Sequence, residues 1–239
     1  MFSNSSENPI KHLPAIKLMI VDDHSLVRQG IARLIQDQPD ISVIGEAERG
    51  EDALYLLQEI VPDVVLMDVK MPGIGGIEAT QRIHARYPSI RIIGMSSLDV
   101  GVIPSRMIAA GAISFITKNV TVSELLNAIR RAYRGQEYFT AAVATKLSTH
   151  PFRRGKKVLF EKLSKRELQI AMQLSDGAKV STIAELLKLS PKTVYTYRYR
   201  IFDKLGIKSD VELTILAMKN GVSETSEDYM NYAHQRQII

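Results

Sequence analysis

Asp63-Val64-Val65-Leu66-Met67-Asp68 is an apolar run that stops on a carboxylate, and Val69-Lys70-Met71-Pro72-Gly73 follows it at once. The run does not alternate with polar residues, which is the pattern of a strand buried on both faces of a parallel sheet. The same arrangement occurs upstream, where Ile16-Lys17-Leu18-Met19-Ile20-Val21 runs into Asp22-Asp23. It occurs downstream, where Ser114-Phe115-Ile116-Thr117 runs into Lys118. Short apolar runs lie at 16–22, 42–47, 63–68, 91–96 and 114–118. Helically spaced apolar residues fill the gaps, among them Leu26, Ile31, Leu34 and Ile35, then Ile77, Ala79 and Ile83, then Leu125, Leu126 and Ile129. Five strand–helix units predict an α/β unit, a doubly wound, five-stranded parallel sheet over residues 15–135. Ligands in such folds meet the carboxyl ends of the strands.

If the strands are parallel, Asp22, Asp23, Asp68 and Lys118 converge at one edge. Three carboxylates alone would repel one another, so a cation belongs among them. Mg2+ prefers oxygen ligands and keeps some waters. The carboxylates of Asp22, Asp23 and Asp68 and the backbone carbonyl of Lys70 supply such oxygens. A carboxylate nucleophile can form an acyl phosphate, with Lys118 and the metal offsetting charge on the phosphoryl oxygens. Each acid alone would read as a helix start or a loop residue; their placement at the ends of separate runs outweighs that reading. His24 is expected at the loop edge, hydrogen-bonded or solvated, and not as a metal ligand. Gly73, Gly75 and Gly76 suit a tight turn, not a phosphate cradle.

At 239 residues the chain is long enough for two ordinary domains, and 45% apolar content predicts disorder only at the ends. It has no cysteine, so disulfides and thiolate metal sites are excluded. The start lacks the charge and apolar regions of a signal peptide, and no apolar run spans a bilayer. A cytoplasmic protein without membrane contact is the expectation. Residues 1–134 carry 14 Lys/Arg against 15 Asp/Glu, whereas residues 135–239 carry 17 against 11. Within 153–208 the count is 14 against 5. A near-neutral first part joined to a basic second part predicts a nucleic-acid partner for the second.

The expected domain plan is a polar tail at 1–14, the α/β domain at 15–135, a linker with a short helix at 136–160, a helical domain at 161–222 and a polar tail at 223–239. The short helix is placed at 140–148, and Thr149–Lys157 combines Pro, Gly and dense charge as linkers do. Beyond Leu163 the spacing predicts helices at about 164–175, 181–188, 191–205 and 210–220. Capping signals stand at Ser164 with Glu167, Ser181, Ser190-Pro191 and Ser209-Asp210. Gly177, Gly206 and Gly221 stand where helices should stop.

Ser181–Leu205 therefore reads as helix, turn, helix. On the second helix Val194, Tyr197, Ile201 and Leu205 share one face and should be core. Lys192, Tyr195, Thr196 and Tyr199 are placed to approach bases in a major groove, and Thr193 beside them is expected at the DNA. Arg198, Arg200 and Lys204 suit phosphate contacts, which position without reading sequence. The partner expected is double-stranded DNA.

Residues 15–135 resemble the receiver domain of two-component response regulators through Val21-Asp22-Asp23-His24, Leu66-Met67-Asp68-Val69-Lys70-Met71-Pro72-Gly73 and Ile116-Thr117-Lys118. The resemblance implies a flavodoxin-like fold, Mg2+ as cofactor and phosphorylation of Asp68 by a sensor histidine kinase. It implies a phosphoryl-binding hydroxyl at Ser96, with Ser97 as the neighbouring alternative, and a switching aromatic at Phe115. Two departures stand out: many receivers have Lys-Pro where this chain has Lys118-Asn119, and Phe115 has no hydroxyl.

Residues 163–221 resemble the LuxR/NarL (FixJ) output domain through Leu163-Ser164-Lys165-Arg166-Glu167, Ile183-Ala184-Glu185-Leu186-Leu187, Leu189–Val194 and Lys204-Leu205-Gly206. In that family the last helix, here about Val211–Asn220, forms a dimer contact. Over the whole chain the resemblance is to the GacA/UvrY/LetA group. That group implies a hybrid kinase partner and, from an active dimer at promoters, activated transcription of small regulatory RNAs that antagonise a CsrA-type protein. A phosphatase reading fails because such enzymes place a second acid two residues beyond the nucleophile, where Lys70 stands. A protein-binding output domain is disfavoured by the charge count over 153–208 and by the groove-facing residues. DNA binding without phosphorylation is disfavoured by the complete acid set.

Overall fold

The computed structural model describes residues 14–97, 102–140, 143–144 and 159–223. The tail up to residue 13, most of the helix expected at 140–148, the charged linker at 149–157 and the tail from 224 lie outside the described residues. The first unit runs β1 (Ile16–Val21), α1 (Ser25–Gln36), β2 (Ile41–Ala47), α2 (Gly50–Leu56), β3 (Val64–Asp68), α3 (Gly75–Arg86), β4 (Arg91–Ser96), α4 (Val102–Ala109), β5 (Ser114–Thr117) and α5 (Val122–Tyr133). The strands are all parallel in the order β2-β1-β3-β4-β5. The expected doubly wound sheet is what forms.

Every residue of β3 is buried, which is why its sequence shows no alternation. Apolar side chains of α1 and α5 cover one face of the sheet, among them Ile31, Ile35, Leu125 and Ile129. Those of α2, α3 and α4 cover the other, among them Ala53, Ile77, Ile83 and Met107. Fully burying one such side chain is worth about 1.5–3 kcal/mol, so this sandwich fixes the strand register. Thr121 and Glu124 close a capping box that starts α5.

The register places the site. Val21 pairs with Met67, Asp68 with Met95 and Ser96 with Thr117. Asp22, Asp68, Ser96 and Lys118 thus leave four neighbouring strand ends at one edge. The strand order reverses at β1, the topological switch point where a crevice opens.

The second unit begins with a 3₁₀ turn (Leu159–Lys162), then α6 (Lys165–Ser175), α7 (Val180–Leu186), α8 (Pro191–Leu205) and α9 (Asp210–Lys219). Ser164 and Glu167 form the expected capping box, Ser190 caps α8 with Pro191 in its first turn, and Ser209 caps α9. Ser181 is not a cap: α7 starts one residue earlier, with extended Lys179 at the N-cap and no side-chain cap bond, so Ser181 falls inside the first turn. Gly206 ends α8 in the left-handed conformation at φ 69°, which a side chain would strain. No helix among the described residues is long and apolar enough to cross a membrane.

Candidate functional site

At the carboxyl edge, Asp22 and Asp68 are both buried, Asp68 with 1% of its surface exposed. Lys118 Nζ lies 2.8 Å from Asp22 Oδ2 and 3.3 Å from Asp68 Oδ1. The lysine is carried there by β5, and its amide donates to the Ser96 carbonyl at 2.8 Å. Asp68 Oδ2 is buried and has no hydrogen-bond partner among the described residues. Burial raises the Asp68 carboxyl, Lys118 pulls it down, and the charges of Asp22 and Asp23 push it up again, leaving it at about 7. Burial disfavours the Lys118 ammonium, but Asp68 and Asp22 outweigh burial and hold its pKa above the usual lysine value.

Carboxylate oxygens of Asp22, Asp23 and Asp68 and a ring nitrogen of His24 all lie within 4.8 Å of one another. Three carboxylates, those of Asp22 and Asp68 buried, make a donor set that suits a hard divalent cation. His24 is mostly solvent-exposed; its Nδ1 sits 3.2 Å from Asp22 Oδ1 and 2.9 Å from Asp23 Oδ1. It borders the acids at the loop edge, as expected. Lys70 and Ser97 line the same cleft, about 450 Å³ in volume. Ser96 is buried at the end of β4, and Phe115 is fully buried in β5.

The loop beyond Asp68 is shaped by glycines. A Cβ at Gly76 would strike the Asp68 carbonyl oxygen, so only glycine lets α3 start this close to β3. Gly73 adopts φ 80°, the left-handed conformation of a tight turn.

One residue at this edge was not singled out by the sequence reading. Arg28 of α1 is buried, and its Nη1 donates to the Asp22 carbonyl at 2.6 Å. Its Nη2 donates to Glu48 Oε1 at 2.7 Å, and its Nε lies 3.6 Å from Glu46 Oε2. A cation bound this way pins the end of β1 to the end of β2 and holds Asp22 in place. The signal was present: Arg28, Ile31 and Ile35 share one helical stripe, and a guanidinium on an apolar stripe needs an acceptor.

In the second unit, Val194, Ile201 and Leu205 are buried as expected, Tyr197 is half-buried, and Phe202 joins them. Lys192, Tyr195, Thr196, Tyr199 and Arg200 are exposed on the other side of α8, Tyr199 by 64%. Thr193 is half-buried beside its cap Ser190, and the Thr196 hydroxyl donates to the Lys192 carbonyl at 3.0 Å. Two basic residues keep internal partners. Arg198 forms a bidentate pair with Asp210, both bonds 2.7 Å, and stacks on the Phe202 ring at 4.7 Å. Lys204 Nζ lies 2.6 Å from Glu167 Oε2, on a carboxylate that also accepts from the Ser164 amide. On α9, Leu213 and Ala217 are buried, while Val211 (68% exposed) and Ile215 one turn later face solvent.

Residues 18–130 match the family described as response regulator receiver domain, and residues 161–217 match bacterial regulatory proteins, luxR family. Response regulator GacA of Pseudomonas aeruginosa is 45% identical over 212 residues, covering 88% of this chain and 99% of the relative. Response regulator UvrY of Escherichia coli K12 is 43% identical over 208 residues, covering 87% and 95%. The fold is similar to that of RcsB from Salmonella enterica serovar Typhimurium, solved bound to promoter rprA in the presence of phosphomimetic BeF3-. That likeness has a TM-score of 0.62 at 24% identity and covers 84% of this chain and 98% of RcsB.

Proposed function

The chain belongs to the response regulators that join a receiver to a LuxR-type DNA-binding domain, and from that membership we propose that Asp68 is its phosphoacceptor. Its relatives are regulators, not enzymes. The observation that carries the proposal is the buried, orphaned Asp68 Oδ2 with Lys118 and Asp22 at its side.

A sensor histidine kinase, of the hybrid kind, supplies the phosphoryl group. An Asp68 oxygen forms the new bond to phosphorus as the bond from phosphorus to the kinase histidine nitrogen breaks, and that nitrogen keeps the electron pair. Lys118 meets the growing charge on the phosphoryl oxygens. Asp22, Asp23, Asp68 and the Lys70 carbonyl hold Mg2+, which when bound offsets charge on the transferred group. Ser96, or Ser97 beside it, donates its hydroxyl to a phosphoryl oxygen. Phe115 repacks when that hydroxyl moves, by volume alone since it has no hydroxyl of its own.

Phosphorylation biases the receiver between two states. In the active state the protein pairs through Val211 and Ile215 of α9, and two copies of α8 enter successive major grooves of promoter DNA. Lys192, Thr193, Tyr195, Thr196 and Tyr199 approach bases, and Arg200 meets phosphates. Arg198 and Lys204 meet phosphates by exchanging Asp210 and Glu167 for phosphate oxygens. The protein works in the cytoplasm as an activator, and its targets are genes for small regulatory RNAs that antagonise a CsrA-type protein, as the likeness to GacA and UvrY suggests. The domain limits are those of the sequence plan, with the output domain at 161–222.

The test is direct. Incubation with Mg2+ and acetyl phosphate is expected to add one phosphoryl mass, and Asp68→Asn to abolish it. Equal labelling of the variant would contradict the assignment.

A further inference from the structure

The exposed face of α8 carries little that can hold a base by paired hydrogen bonds. The helix has no Asn, Gln or Glu, and its Arg198 is tied to Asp210. Between Pro191 and Tyr199 the only exposed charged donor is Lys192. Both threonines of this stretch have their hydroxyls engaged locally. Thr193 Oγ1 lies 2.8 Å from Ser190 Oγ, and Thr196 Oγ1 donates to the Lys192 carbonyl at 3.0 Å.

The bond to Lys192 decides what Thr196 presents. A threonine has two branches on Cβ, and a hydroxyl turned back to the carbonyl of the preceding turn leaves the methyl as the outer branch. Thr196 is exposed, so this methyl stands in solvent. It follows Lys192 by four residues and precedes Tyr199 by three, which puts it on one helical stripe with both. Tyr195 and Tyr199, 47% and 64% exposed, stand one turn apart beside it. An apolar spot flanked by two rings and one ammonium thus occupies the N-terminal part of α8, the part of a recognition helix that meets base edges.

We infer that Thr196 reads the 5-methyl group of a thymine in the major groove, with the rings of Tyr195 and Tyr199 screening that contact from water. The inference rests on the reading of α8 as the recognition helix. In the major groove the 5-methyl is a group that only thymine displays, and it marks T·A apart from the other pairs. Packing one methyl on another removes apolar surface from water and needs no hydrogen-bond partner. The Thr196 hydroxyl, already bonded within the helix, leaves no donor unmatched when the groove closes over it.

The experiment selects a preferred duplex from a random-sequence library with the full chain, Mg2+ and acetyl phosphate. Its thymines are then replaced one at a time by deoxyuridine, which lacks only the methyl. Fluorescence anisotropy gives the ratio of affinities for the thymine and deoxyuridine duplexes. Wild type is expected to bind several-fold more weakly when one particular thymine is replaced. Thr196→Ser keeps the hydroxyl bond and loses the methyl, and it is expected to bring that ratio to one. Thr196→Val keeps a methyl there and is expected to keep the ratio. Equal affinity of wild type for every thymine and deoxyuridine pair would overturn the inference. So would a ratio that survives in Thr196→Ser or vanishes in Thr196→Val, since discrimination would then come from DNA shape or from the hydroxyl. Failure to select any preferred duplex would overturn the reading of α8 as a recognition helix, and the thymine contact with it.

Discussion

The carbonyl of Asp22 accepts a 2.6 Å hydrogen bond from the buried guanidinium of Arg28, so the innermost carboxylate of the cleft is held from α1 as well as from its own strand. A partner in the second layer of a metal site commonly sets affinity by about 10- to 100-fold. Arg28→Gln is expected to weaken Mg2+ binding by about 10-fold in a calorimetric titration. Unchanged affinity with lowered stability would make Arg28 a packing residue only.

Asp68 is a buried carboxylate with an orphaned oxygen beside two other acids. Without metal it therefore opposes folding. Asp68→Asn should raise the thermal midpoint of the metal-free protein by a few degrees, on the order of 1–2 kcal/mol. Mg2+ should raise the midpoint of wild type and leave that of the variant nearly unchanged. Scanning calorimetry with and without chelator reads both.

Glu167 links the start of α6 to α8. Burial raises its carboxyl, but Lys204 and the Ser164 cap outweigh burial and hold it below the usual 4.5. A folded-state value below the unfolded one gives stability that is present above about pH 4.5 and is lost as pH falls through the folded value. Glu167→Gln should destabilise the output domain at pH 7 by about 1–3 kcal/mol and flatten the acid side of its stability profile. Urea unfolding between pH 3 and 7 checks both.

Two neighbouring residues of α8 have separable roles, one in stability and one at the exposed face. Arg198 is tied to Asp210, so Arg198→Ala should lower the thermal midpoint by a few degrees. Tyr199 is exposed and unneeded for packing, so Tyr199→Ala should leave stability unchanged and weaken specific DNA binding by about 10-fold or more. Thermal melts beside fluorescence anisotropy distinguish them.

Much of this was legible in the sequence because the residues concerned end apolar runs. A run with no alternation requires burial on both faces, which requires parallel strands, which brings Asp22, Asp68 and Lys118 to one edge. The caps at Ser164, Ser190 and Ser209 were readable because their chemistry is local. Ser181 misled because an extended lysine can precede a helix without a side-chain cap. The pairing of Arg198 with Asp210 was not readable because the two lie twelve residues apart, beyond any helical spacing. The bonds that Arg166 and Gln169 donate to the Gly73 carbonyl had no signature at all: they join residues about a hundred positions apart, and nothing periodic marks them.

In the proposed mechanism, phosphorylation of Asp68 controls DNA binding by α8. The most direct measurement is capture of fragmented host genomic DNA by the full chain, with and without Mg2+ and acetyl phosphate, beside Asp68→Asn. Enrichment of a few promoter fragments is expected only when Mg2+ and the phosphodonor are present, and none with the variant. Equal enrichment of the same fragments by the variant in every condition would contradict it.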